Sequence, residues 1–230
     1  MRASDFEFRN RFWVISALFF AAFGMYTFDH RNAAQMFARL LGQDTRFGVQ
    51  LVFAIGALIA FLAAWIRTWA SAYLHSSVVK DADIHTDRLV ADGPYRHLRN
   101  PLYLGTVLLG ISFGLMASPT GFFLLVIGLT VFVLRLIGRE EAELEAVQGA
   151  AYRRYLRAVP ALVPAFDPRV DASGARAQWR QAFFGEAMMW IFGLGCALFA
   201  ITLNQWILYG FVVAGFIGYF PIRRLTRRVS

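Results

Sequence analysis

The chain holds a single cysteine, Cys196, so no disulfide can form within it; lying in an apolar run, that residue reads as a small packing side chain. Metal-ligand spacing is missing too. The four histidines, His30, His75, His85 and His97, are scattered and have no cysteine partners, which argues against a metal site. Charge is scarce: 17% of residues are charged against 58% hydrophobic, a balance too apolar for an ordinary soluble domain. Two long stretches, Pro101 to Leu134 and Ala187 to Ile222, carry no charge at all. The first apolar stretch, Phe12 to Phe28, lacks a small-x-small cleavage site and is long for a signal's hydrophobic core, so it is read as a retained span. No convincing internal repeat is present.

What is there predicts an all-α fold, a polytopic transmembrane bundle of about six spans. The second span is Gly48 to Ile66, close to the ~20 residues a bilayer core demands. The charge-free run from Pro101 is too long for one span and is broken at Ala117-Ser118-Pro119-Thr120-Gly121, which gives a hairpin of Pro101 to Ala117 and Thr120 to Ile137. The last run divides at Thr202-Leu203-Asn204-Gln205 into spans five and six. Met36, Phe37, Leu40 and Leu41 in the first connection suit the interface, and Arg67 to Tyr73 reads as a helical extension with Trp65 and Trp69 at headgroup level. GxxxG at Gly110 and Gly114, and the small pair Ala214 and Gly218, point to close packing within the monomer; oligomeric state is left open.

The net charge of +8 lies between spans rather than on one exposed face, so nucleic acid is not an expected partner. With both termini in the cytoplasm, the inner segments hold three, five, seven and four of the 23 Lys and Arg residues and the outer connections three. The positive-inside rule therefore favours an integral protein, of a bacterial cytoplasmic membrane, with its functional face in the cytoplasm. Three regions follow: 1–84 with two spans, 85–164 as the functional core, and 165–230 as a linker and terminal hairpin.

The core opens with HTDRLVADGPYRHLRNPLYLG, from His85 to Gly105. Asp92-Gly93-Pro94 is turn chemistry. Arg96, His97, Arg99 and Asn100 then crowd donors into five residues before Pro101 starts a helix where a missing N–H costs least. Such a cationic rim would seat an anionic or amphoteric ligand. In REEAELEAVQGAAYRRYLRAV, the residues Glu141, Leu144, Gln148, Tyr152, Tyr155 and Val159 form one stripe at helical spacing, an interfacial cytoplasmic helix ended by Pro160 and Pro164. Arg153, Arg154 and Arg157 on its other face suit anionic lipid headgroups. Arg135, an ionisable group at membrane depth, needs a partner, and Glu140 or Glu141 is the nearest candidate. Arg99 and Asn100 could take a carboxylate, and Glu140 or Glu141 an ammonium, as an amino-acid head group requires.

Together GPYRHLRNPLYLG, EEAEL, GAAYRRY and VPALVP resemble the membrane methyltransferases of the isoprenylcysteine carboxyl methyltransferase and phospholipid methyltransferase group, over roughly His85 to Pro164. The resemblance implies an S-adenosylmethionine pocket without a Rossmann sheet, on the cytoplasmic side, lined by Tyr95, Asn100, Pro101, Leu102 and Tyr103. It implies the same for His85, Leu89 and Val90, with Asp87 and Arg88 interposed in the family's lead-in, and for Glu140 or Glu141 against the methionine part. His97, Arg99 and Tyr152 complete the candidate cofactor-binding set; Arg135, Arg139 and Glu141 are the candidate catalytic residues. Where the family has His before Pro this chain has Asn100, which cannot titrate. Arg135 stands five residues before Glu140 rather than four.

The implied reaction is methyl transfer to a lipid or lipidated acceptor entering from the bilayer. A carboxylate acceptor needs no base, whereas an amine must first lose a proton, to His97 or Glu141. A sterol-reductase-like oxidoreductase using NADPH is the alternative, because those enzymes carry a similar Arg-His-Pro-Asn-Tyr segment; Leu102 and Thr106 depart from it. A non-catalytic scaffold of the same fold is the third reading.

Overall fold

The computed structural model describes residues 1–74, 91–207, 210, 211, 213 and 214. Its elements are α1 (Asp5–Arg9), α2 (Arg11–Gly24), α3 (Tyr26–Asp29), α4 (Ala33–Leu40), α5 (Arg46–Leu74), a 3-10 turn (Gly93–Arg96), α6 (Pro101–Gly114), α7 (Pro119–Ala158), α8 (Trp179–Gly185) and α9 (Ala187–Thr202). All are helical, as expected from the sequence.

Local chemistry sets the boundaries. Ser4 and Glu7 close a capping box on α1, and Asn32 and Gln35 another on α4, satisfying donors that a helix start leaves unpaired. Pro101 opens α6 and Pro119 opens α7, where Ser118 also accepts from the Gly121 amide. The α9 helix ends at Thr202 with Leu203 left-handed, at the expected reversal.

Three helices or helix pairs are long and apolar enough to cross a bilayer, Arg11–Asp29, Arg46–Leu74 and Pro119–Ala158. The pair α8 and α9, bent by 59°, makes a fourth if taken as one span. Span three is shorter than expected: α6 has 14 residues, about 21 Å of helix against a hydrocarbon core of ~30 Å. The expected sixth span lies mostly outside the described residues.

The core sits where α5 packs against α6 and α9, while α7 packs against α6 and α2. Small side chains make this possible. Ala60, Ala63 and Ala64 of α5 are fully buried, and a Cβ on Gly110 of α6 would run into Leu129 of α7. The GxxxG pattern thus serves helix packing inside one chain. Cys196 is buried beside Ser112, also as expected. Leu40 and Leu41 at the end of α4 are exposed, while Phe37 packs inward against Phe122.

The bundle has two distinct ends. At one, the amides of Ala33 and Ala34 donate to the carbonyls of Ala117 and Leu115, which joins α4 to the hairpin turn. At the other, α1, the 93–103 segment and the second half of α7 come together. The stripe expected to run along one straight helix is interrupted there. Gly149 has φ +56 and ψ −124, outside the helical region, so α7 turns at that residue. One guanidinium, that of Arg99, bonds both Glu141 and the Val159 carbonyl, groups that a straight helix would hold about 27 Å apart. The turn brings the end of α7 back toward its middle.

Candidate active site

The site is built on the 93–103 segment. Gly93 takes φ +57 against the Tyr73 ring, so the expected tight turn at Asp92-Gly93-Pro94 is present. Asp92 does more than turn the chain. Only 4% exposed, it accepts from the amides of Ser173 and Ala175, each at 3.0 Å, and from the Ser173 hydroxyl. Burial alone would raise its carboxyl, but these hydrogen bonds outweigh it and hold it below the ordinary carboxylate range.

The donors after the turn face inward rather than forming an open rim. Arg96 donates from Nε to the Val170 carbonyl at 2.9 Å, and His97 places Nδ1 3.0 Å from the Ala165 carbonyl. The Arg99 amide donates to Pro160, the Ala165 amide to His97 and the Arg169 amide to Arg96. The loop after α7 is thereby stitched across the segment. Three prolines in that loop, Pro160, Pro164 and Pro168, stop it from continuing as helix, and its backbone groups find partners here instead.

Arg99 is the centre of the junction with α7. Its Nε and Nη2 reach Glu141 at 2.8 and 3.3 Å, and its Nη1 donates to the carbonyls of Leu156 and Val159, both at 2.6 Å. Asn100 adds a bond to Glu141 and one to the Ala161 carbonyl, each at 3.1 Å. The sequence offers Arg99 and Asn100 to one end of a zwitterion and an adjacent acid to the other; in the structure Glu141 and these two donors hold each other. The carboxylate next to it has a different setting. Glu140 accepts from the Tyr103 hydroxyl at 2.8 Å, and its side chain remains 33% exposed.

Beneath them lies a cluster of Tyr95, Tyr152, Tyr155, Leu102, Leu144 and Val159. The Tyr155 hydroxyl donates to the Tyr95 carbonyl at 2.8 Å. The Tyr95 hydroxyl itself is buried with no hydrogen-bond partner among the described residues, within electrostatic reach of Arg67, Glu186 and Glu140. Burial pushes its phenol well above the usual value, so it is a neutral donor. An unpaired buried hydroxyl costs roughly 1–3 kcal/mol, and that cost is removed if a ligand supplies the missing acceptor or donor.

Arg135 and Arg139 lie elsewhere. The expected pairing of Arg135 with Glu140 or Glu141 is corrected: Arg135 bonds Glu7 of α1 at 2.7 Å. Arg139 bonds Asp5 at 2.6 Å and Glu143 at 2.8 Å and covers the Phe8 ring. The reason is steric as well as electrostatic. Gly138 has no side chain, the chain at Met1 passes directly over it, and the Ala3 amide donates to the Arg135 carbonyl, so α1 reaches these arginines first. The hydrogen bond from Arg135, helped by the Ser4 amide and hydroxyl, brings the Glu7 carboxyl down to about 2.

Sequence reading also missed a second polar cluster. Arg67 of α5 bonds Glu186 at 2.7 and 3.2 Å and donates to the Leu102 carbonyl and the Thr106 hydroxyl, both at 3.1 Å; Ser71 donates to Glu186 at 2.8 Å. Gly105 of α6 has to be glycine here, because a Cβ would overlap the Arg67 side chain. The available signal was positional: Arg67 is the first charge after one apolar run and Glu186 the last before another. His85, Leu89 and Val90, three of the expected cofactor residues, lie outside the described residues.

A helical bundle with helices long and apolar enough to cross a membrane, and with a cluster of acids, arginines and tyrosines at one end, defines the class of protein. Within it, residues 51–150 match the model of the phospholipid methyltransferase family, in line with the resemblance seen in the sequence. The match points to a membrane methyltransferase acting on lipid. It takes in Tyr95 to Tyr103, Glu140 and Glu141, and leaves out α1, Tyr152 and Glu186. No curated protein and no solved structure matches the chain.

Proposed function

We propose that the protein transfers a methyl group from S-adenosylmethionine to a membrane-embedded lipid or lipidated acceptor, at the cytoplasmic end of the bundle. The observation that carries this reading is the Tyr95 hydroxyl, buried without a hydrogen-bond partner among the described residues, inside an apolar and aromatic cluster built from both segments that the family resemblance assigns to the cofactor. The donor set fits that ligand. Glu141, aligned by Arg99 and Asn100, suits an ammonium, and the rings of Tyr95, Tyr103 and Tyr152 suit a cationic sulfonium or a purine. His85, Leu89 and Val90 belong to the same proposal.

Bound there, the cofactor supplies a methyl group already activated by positive sulfur. The chain's own residues then have to orient and desolvate. Arg99, through its bonds to the last carbonyls of α7, sets Glu141 and closes the far wall. Glu140, with only Tyr103 in short hydrogen-bond contact, is the carboxylate available to an incoming donor, and with an amine acceptor it takes the proton that must leave before attack. Proximity and exclusion of water provide the main gain. Arg135 and Arg139 act in this reading by holding α1 on α7, not at the reacting atoms. The basic face at Arg153, Arg154 and Arg157 meets anionic lipid headgroups.

The test is calorimetric titration of the purified full chain with S-adenosylhomocysteine, followed by incubation of membranes with methyl-labelled S-adenosylmethionine. Binding that is weakened in Tyr95→Phe, and label in a lipid or lipidated peptide, is the expected result. A folded sample that binds no S-adenosylhomocysteine removes the proposal, and hydride transfer from NADPH in its place would favour the reductase reading.

A further inference from the structure

The arginines near the site differ in how completely they are used. Arg67, Arg99, Arg135 and Arg139 each make hydrogen bonds of 2.6 to 2.8 Å to carboxylates or carbonyls. The side chain of Arg11, the first residue of α2, makes no hydrogen bond among the described residues. Its nearest carboxylate is Glu140 at 3.9 Å, and the two side chains are 50% and 33% exposed. The Phe8 ring carries the guanidinium at 4.8 Å, a contact to its flat face that leaves the N–H fork free. The residues around Arg11 fix its depth. Phe12 and Trp13 follow it and are exposed, as is Phe6 before it, so the surface here is an aromatic belt of the kind that sits among lipid headgroups.

We propose that Arg11 is the phosphate seat of the acceptor subsite: a phospholipid docks from the bilayer with its phosphate on the Arg11 fork and the donor at the far end of its headgroup on Glu140. The inference rests on the methyltransferase reading for its consequence but not for its geometry. A free planar fork at headgroup depth matches phosphate bidentately. The loose Arg11–Glu140 pair is then the resting form of a seat that a headgroup with a phosphate and a nearby cation opens, each charge exchanging its long-range partner for a direct one. Tyr103, bonded to Glu140, keeps the carboxylate aimed at the same gap. The specificity residue comes from a helix outside the 51–150 match, so the acceptor preference belongs to this chain's own N-terminal helix.

The experiment titrates the purified full chain in detergent with dihexanoylphosphatidylethanolamine, with dihexanoylglycerol as the phosphate-free control, and titrates each sample with S-adenosylhomocysteine in parallel. Arg11→Gln is expected to weaken the phospholipid by about tenfold or more and Arg11→Lys by less, because lysine keeps the charge but loses the fork. S-adenosylhomocysteine affinity should stay within about twofold, showing that the fold survives. Inorganic phosphate should fail to displace the phospholipid. The seat is refuted if Arg11→Gln binds the phospholipid as tightly as the unchanged protein, if dihexanoylglycerol or inorganic phosphate competes equally, or if the variant loses both ligands. Phospholipid binding that depends on Arg11 in a protein that binds no S-adenosylhomocysteine would keep the seat and remove the methyltransferase reading.

Discussion

The α7 helix makes two polar junctions one turn apart, and they are built differently. On one side Glu141 meets Arg99 and Asn100, with side chains 16% and 12% exposed for the acid and the arginine, and every strong donor of that guanidinium is used. On the other side Arg135 and Arg139 meet Glu7 and Asp5 of α1, in contacts that are more exposed, 32% and 26% for Arg135 and Glu7 and 82% for Asp5. An ion pair shielded from water cannot lose a partner cheaply, whereas an exposed pair can. The inner junction therefore fixes the shape of the site, and the outer one only holds a short helix in place beside it.

The comparison is broken most severely by Arg99→Ala. It leaves Glu141 unpaired and two helix-end carbonyls without a donor, so a loss of roughly 3–5 kcal/mol is expected, read as a large fall in Tm together with loss of S-adenosylhomocysteine binding. If Glu7→Gln lowers Tm as much, the two junctions are equivalent and the contrast fails. Gly149→Ala comes next. A side chain at φ +56 is strained by about 1–3 kcal/mol, and the strain pulls the end of α7 from Arg99, so Tm should fall by less than in Arg99→Ala while Arg135 and Glu7 are undisturbed.

Acid sharpens the picture through Asp92. Its folded carboxyl lies below the unfolded value of 3.8, so its contribution is complete above that pH and is lost as pH falls through the lower folded value. Limited proteolysis of the 171–176 loop should therefore increase only below about pH 4, and Asp92→Asn should show the increase already at neutral pH. The smallest effect is Glu7→Gln at neutral pH, a fall in Tm that is measurable but well below that of the other variants. With the Glu7 carboxyl moved from 4.5 to about 2, its contribution is full above pH 4.5 and fades as pH falls through 2. The Tm difference between the unchanged protein and Glu7→Gln should vanish toward that acid limit.

Much of the architecture could be read along the chain. Hydropathy placed three of the expected spans, and a fourth where α8 and α9 count as one, and proline, serine and glycine placed the breaks, because these act over a few neighbouring residues. The helical stripe from Glu141 to Val159 selected the right residues but the wrong shape. Periodicity survives a single glycine, and nothing in AVQGAAY says that Gly149 leaves the helix until the end of α7 has a partner to reach. Glu140 and Glu141 were indistinguishable in EEAEL; their neighbours in space separate them, Arg99 and Asn100 for one, Tyr103 and Arg11 for the other.

The sequence alone determined that this is a helical membrane protein with one polar core segment, since burying apolar side chains and satisfying backbone groups in a bilayer are constraints each span meets by itself. Which arginine meets which carboxylate was decided by tertiary structure. Six acids and five arginines within reach allow many pairings of similar local energy, and the choice among Arg11, Arg67, Arg99, Arg135 and Arg139 depends on where glycines let helices close up: Gly138 admits α1 to Arg135, and Gly105 admits Arg67 to α6.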